Sequence, residues 1–201
     1  EAAFYHIDRS GKAVCGLCPH HCRIENGRCG RCQTRGFDGT TFQALNYGKI
    51  TGLALDPIEK KPSITSTADP LSCPSVPGAV THLSLLPELA DFPAAGTVPR
   101  PDTGRGRRLR RKIRAQGNIG LAYTYNEPTL SYEFIIQTAK LIKKRGLFNV
   151  MVSNGYIERK PLEGLLPYID AEIDLKGFPE DFLSFLQCSA SLNPVLDTIT
   201  I

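Results

Sequence analysis

Five of the chain's seven cysteines fall between residues 15 and 32: Cys15, Cys18, Cys22, Cys29 and Cys32. A Cys-x-x-Cys spacing stands at each end of this cluster, and each such turn aims two sulfurs at one point. Converging thiolates are soft ligands, suited to a tetrahedral metal ion or an iron–sulfur cluster. In a secreted mini-protein the same cysteines would suggest disulfides. The start Glu-Ala-Ala-Phe-Tyr-His-Ile-Asp has neither the basic flank nor the apolar run of a signal peptide, so metal is the stronger reading. The absence of an initiator Met leaves the true N-terminus open. His20 and His21 lie inside the cluster but are left out of the ligand set, because adjacent histidines in such a loop are as often solvated. Cys73 and Cys188 stand apart and are read as incidental thiols.

Polar residues that could do chemistry recur later, each time at the end of an apolar run. Ile119 to Tyr123 reads as a buried strand, broken by Asn126-Glu127-Pro128-Thr129 before a helix from about Thr129 to Arg145, with Gly146 as its stop. Phe148 to Val152 is a second strand, closed by Ser153-Asn154-Gly155-Tyr156. Pro161 to Tyr168 makes a shorter helix, and Ala171 to Leu175 a third strand carrying Asp174 and then Lys176. Strand, helix, strand, helix, strand means successive βα units and a parallel sheet, an α/β fold whose chemistry sits where strands end. Each polar group taken alone reads equally well as a turn or cap; three in succession favour a site.

The 201 residues, 41% hydrophobic and 22% charged, suffice for one ordinary domain with a real core. No run of eighteen apolar residues exists, so no transmembrane helix and no membrane partner is expected, and cytoplasm is the default compartment. The net charge of +4 has a local source: eight basic residues against Asp102 between Arg100 and Arg114 leave the rest of the chain net acidic. Four stretches follow: 1–36, Cys-rich and metal-binding; 37–62, short strands at the entry to the sheet; 63–116, without periodicity; and 117–201, the βα units.

In combination, several motifs resemble radical S-adenosylmethionine proteins of the AmmeMemoRadiSam type, which are similar to pyruvate formate-lyase activating enzymes. They are Cys15-Gly-Leu-Cys18-Pro-His-His-Cys22-Arg-Ile, then Gly27, Gly30 and Cys32 with Arg35, then Leu55-Asp-Pro-Ile-Glu-Lys-Lys-Pro62. They continue with Ala122-Tyr-Thr-Tyr-Asn-Glu-Pro-Thr129, Ser153-Asn-Gly-Tyr156 and Ile173-Asp-Leu-Lys-Gly-Phe178. The match covers about residues 13–62 and 117–200. It implies a partial radical S-adenosylmethionine (βα) barrel, truncated at Ile201 where further βα units should begin.

The resemblance further implies a [4Fe–4S] cluster that reductively cleaves S-adenosylmethionine to methionine and a 5′-deoxyadenosyl radical, which takes hydrogen from a substrate. An electron donor such as flavodoxin or ferredoxin would be a partner; the substrate is open, with a protein among the candidates. Asn126 and Glu127 would accept from the ammonium of S-adenosylmethionine. Ser153 and Asn154 would suit its ribose hydroxyls or carboxylate. Asp174 and Lys176 match the Asp-x-Lys of activating enzymes, as catalytic residues near the substrate, with an ion pair in the barrel mouth as the structural alternative. The strand before them is one residue short of the family pattern. Cys15, Cys18, Cys22 and Cys32 fall at the family's positions for an accessory iron–sulfur cluster or zinc, and Cys29 is an extra.

The family's Cys-x-x-x-Cys-x-x-Cys motif, whose thiolates hold the catalytic cluster, is absent; its place after Pro62 holds only Cys73. Within codon degeneracy, shifted frames from Pro62 to Pro93 permit Cys-Asn-x-x-Cys-Pro-Phe-Cys at that place. We therefore expect residues 63–116 to be out of frame and disordered, the Arg-rich run to be a by-product, and the chain to be catalytically inactive and partly folded. Two other readings compete: a zinc-knuckle nucleic-acid-binding module with residues 100–114 as its basic arm, and a non-catalytic metal-binding remnant. The first leaves the three polar strand ends unexplained, and nucleic acid is not an expected partner.

Overall fold

The computed structural model describes residues 1–49, 120–124, 126–174 and 191–201. The expectations for 63–116, and those for Tyr125, Lys176, Cys73 and Cys188, lie outside the described residues.

The N-terminal part is built from short antiparallel strands joined by turns that polar side chains close. Strands β1 (Tyr5–Ile7), β2 (Ala13–Cys15) and β3 (Arg23–Ile24) form one sheet in that order. Asp8 shapes the first turn: its Oδ1 accepts from the backbone N–H of Ser10 at 2.8 Å and of Lys12 at 3.1 Å. The Ser10 hydroxyl and Arg23 hold its carboxyl well below the usual carboxylate range. Strands β4 (Arg28–Cys29), β5 (Arg35–Phe37) and β6 (Phe42–Ala44) form a second sheet. Asp38 closes the β5–β6 turn by accepting from Thr40 and Thr41 N–H.

The second part alternates strand and helix. Strand β7 (Gly120–Tyr123) is buried throughout, as a strand covered on both faces must be. A 3-10 turn over Pro128–Ser131 leads into α1 (Tyr132–Lys144). The sequence predicts a helix from about Thr129; instead Pro128 and the Glu127 side chain, which accepts from Thr129 N–H, shape a tighter first turn. Helix α1 ends at Gly146, whose φ of +70° a glycine adopts without strain; Gly146 N–H donates to Lys143 O and Leu147 N–H to Ile142 O.

Strand β8 (Phe148–Ser153), helix α2 (Arg159–Leu165) and strand β9 (Asp170–Ile173) follow, and β7, β8 and β9 pair in parallel in that order. Helix α3 (Asn193–Thr200), which sequence patterning missed, turns Thr198 inward to donate to Gly155 O at 2.8 Å. Among the described residues the parallel sheet has three strands, an α/β arrangement.

One hydrophobic cluster joins the two parts. Leu17, Ile24, Phe37 and Phe42 belong to the same buried core as Leu121, Tyr132, Ile135 and Met151. Phe4 meets Tyr132 edge-on, with ring centroids 4.9 Å apart. Two polar side chains inside this core pair with each other and with the backbone: Tyr123 Oη donates to Asn149 Oδ1, while Asn149 Nδ2 donates to Ala139 O and Tyr168 O. Burial pushes the Tyr123 hydroxyl's ionisation far up.

Candidate functional site

The cysteine turn is closed by its own backbone: Cys15 N–H donates to Cys22 O at 3.0 Å, and His21 N–H to Cys18 O at 3.2 Å. Cys32 lies in the turn between β4 and β5, with its Sγ 3.1 Å from Thr34 Oγ1. Cys15, Cys18, Cys22 and Cys32 all line one cavity of about 250 Å³. Cys29, on the exposed edge strand β4, does not line it, so the structure separates four cysteines from the fifth.

Gly30 faces Ile24 closely, for a Cβ there would stand 3.1 Å from Ile24 Cδ1, whereas Cys22 Sγ, at 3.7 Å, would be in ordinary contact. Burial pushes the Cys15 thiol up and the Cys18 thiol up to about 11, so both are protonated at neutral pH until a cation displaces the proton. Four cysteines lining one pocket are a donor set of the chemical type that binds zinc or an iron–sulfur cluster. Among the described residues no group of three or more His, Cys, Asp or Glu is already set around a point, so coordination requires these side chains to rotate.

Residues of the parallel-sheet part line this cavity too. Glu127 and Asn154, past the C-terminal ends of β7 and β8, line it together with Thr129, Leu130 and Tyr156. Glu127 Oε1 accepts from Thr129 N–H at 3.1 Å, Thr129 Oγ1 at 2.7 Å and Ser153 Oγ at 2.8 Å; its Oε2 accepts from Asn154 N–H at 2.9 Å. Oε1 is filled, and Oε2 keeps acceptor capacity beyond Asn154. Asn154 Oδ1 turns back to accept from Tyr156 N–H at 2.9 Å.

The sequence-derived sites thus divide. The four cysteines, Glu127 and Asn154 come together, and buried Ser153 supports Glu127 from behind. Asn126 and Asp174 are exposed and do not line the cavity; Asp174 N–H donates to Ser153 O, which continues the β8–β9 ladder. Lys176 lies outside the described residues, as does the basic run 100–114 on which the nucleic-acid reading depends.

What docks the cysteine turn onto the sheet escaped the sequence. Glu158 N–H donates to Leu17 O at 3.0 Å, His21 Nε2 lies 3.1 Å from Glu158 Oε1, and His20 tilts against Tyr156. Arg35, only 1% exposed, donates from Nη1 to Glu133 Oε1 at 2.7 Å, and Glu133 Oε1 also accepts from Ala3 N–H at 2.8 Å. A glutamate inside the apolar start of α1 was the one available signal, and its partner lies 98 positions away.

The chain is 37% identical, over 98% of its length, to the uncharacterized protein MJ0808 of Methanocaldococcus jannaschii. The matched span crosses residues 63–116, and it covers 59% of that relative, so the chain spans about three fifths of the relative's length. No family model and no solved structure matches the chain. Among the described residues no helix is long and apolar enough to cross a membrane.

Proposed function

We propose that this chain is of the radical S-adenosylmethionine type, built as an activating-enzyme-like protein, and that it retains the ligand-binding half of that machinery without the catalytic half. The observation that carries the proposal is the shared cavity, which four cysteines line together with the strand-end groups Glu127 and Asn154. Cys15, Cys18, Cys22 and Cys32 would hold zinc or an accessory iron–sulfur cluster, which ties the two hairpins together. Glu127 Oε2 and Asn154 would bind the polar end of S-adenosylmethionine, and the Ser153 and Thr129 hydroxyls orient Glu127.

The catalytic [4Fe–4S] cluster does not fit this chain. Between Cys32 and Cys188 there is a single cysteine, Cys73, and three thiolates are needed. We therefore place no radical step on it and read the chain as a metal- and S-adenosylmethionine-binding form of the fold, inactive in cleavage.

The test is anaerobic reconstitution with iron and sulfide, or with zinc, followed by calorimetric titration with S-adenosylmethionine and chromatographic assay of 5′-deoxyadenosine. Metal uptake, ligand binding and no 5′-deoxyadenosine are expected. Formation of 5′-deoxyadenosine would overturn the inactivity, and absence of ligand binding would overturn the role given to Glu127 and Asn154.

A further inference from the structure

Arg35 carries more hydrogen-bonding capacity than its buried surroundings use. Its Nη1 donates to Glu133 Oε1 and its Nη2 to Leu130 O at 3.4 Å, but its Nε is buried without a partner. Glu133 does not meet the guanidinium as a two-pronged fork, for its Oε2 is itself buried and unpartnered. An orphaned buried donor is costly and calls for a partner among the groups that line the neighbouring cavity. Arg35 lines the cavity that Cys15, Cys18, Cys22 and Cys32 line, and its backbone carbonyl accepts from Gly30 N–H beside Cys22. Sulfurs are among the acceptors that line this cavity, beside the Glu127 carboxylate, and Arg35 follows Cys32 by three residues.

We infer that Arg35 is a positioning residue for the four-cysteine centre: once a divalent metal is bound there, the Arg35 Nε–H donates to a ligand sulfur and its charge offsets the net negative charge of the tetrathiolate. The inference rests on the reading of these cysteines as a metal site. Hydrogen bonds to ligand sulfurs orient them and lower the cost of keeping thiolates in a buried place. Glu133, in this arrangement, anchors the other edge of the guanidinium and sets its direction.

The experiment titrates the reduced, full-length chain anaerobically with Co(II), reading the sulfur-to-cobalt charge-transfer absorption and competing the metal off with a chelator. Arg35→Lys keeps a cation for Glu133 and removes the Nε donor. Glu133→Gln keeps an acceptor for Arg35 Nη1 and for Ala3 N–H and removes the competing negative charge. Arg35→Lys should retain wild-type circular dichroism, shift the charge-transfer band and bind Co(II) about 10- to 100-fold more weakly. Glu133→Gln, though less stable, should bind Co(II) at least as tightly as wild type.

A merely structural Arg35 would make both variants lose affinity alike, and that result would overturn the inference. So would an unchanged affinity and spectrum in Arg35→Lys. Failure of the wild-type chain to bind Co(II) through thiolates would instead overturn the metal centre itself.

Discussion

Ser153 donates its hydroxyl to Glu127 Oε1 at 2.8 Å, and this bond ties the end of β8 to the segment that follows β7. The two residues are 26 positions apart and meet only because β7 and β8 pair in parallel, with Tyr123 opposite Met151. Glu127 thereby becomes a bridge with four donors, held at the mouth of the cavity it shares with the cysteines.

Removing that bridge should be felt in both stability and binding. Glu127→Ala strands the Ser153 hydroxyl and the Thr129 and Asn154 N–H groups, and should cost about 1–3 kcal/mol of stability. S-adenosylmethionine binding should be lost in the same variant. Urea unfolding and calorimetric titration read the two effects separately; full binding by Glu127→Ala would remove the residue from the site.

The buried Arg35–Glu133 pair predicts an asymmetry between two variants. Glu133→Ala leaves a guanidinium buried without its counter-charge, and should destabilise the protein by about 3–5 kcal/mol. Glu133→Gln keeps an acceptor and should cost clearly less. Chemical denaturation of the three proteins checks the order; equal losses would mean that the counter-charge, which both variants remove, carries the pair and the hydrogen bond adds nothing.

The cysteines divide four to one. Cys22→Ser should lower metal stoichiometry and affinity, whereas Cys29→Ser should leave both unchanged, because Cys29 is exposed and away from the cavity. Elemental analysis with thiol counting before and after metal loading decides this. Gly30→Val should behave like a weaker Cys22→Ser, since the added side chain presses on Ile24 and adds bulk beside Cys22.

The alkaline limb of stability should depend on metal. In the metal-free chain the Cys18 thiol, with an ordinary value of 9.0, is raised to about 11 by burial. A group raised in the folded state contributes stability below its unfolded value and loses that contribution as pH rises through the folded one. Metal-free protein should therefore weaken between pH 9 and 11, and Tyr123 shifts in the same direction. Metal binding displaces the thiol protons, so affinity should climb with pH through the neutral range. Thermal melts from pH 7 to pH 11, with and without Zn(II), test the sign: a metal-free chain that gains stability above pH 9 would contradict it.

Much of the fold is legible along the chain because it rests on local rules. Apolar runs of four to six residues broken by Asn-Glu-Pro and Ser-Asn-Gly mark β7 and β8, and Gly146 marks the stop of α1. Boundaries move by up to three residues, as at the start of α1, where Glu127 and Pro128 shape a tighter turn first. Helix α3 was missed because its burial is set by contact with Gly155, which no local pattern reports.

The site divides along the same line. Spacing alone determined which residue types were available: two Cys-x-x-Cys turns, and polar groups at three strand ends. The resemblance sets Cys29 apart; only the tertiary structure decided that Glu127 and Asn154 line the same cavity as the four remaining cysteines, and that Asn126 and Asp174 do not. It also brought Arg35 to Glu133 across 98 positions of chain. The reason is physical: turn geometry and hydrophobic periodicity act between near neighbours, whereas a buried charge is tolerable only where packing delivers its partner, and that partner has no fixed distance in the sequence.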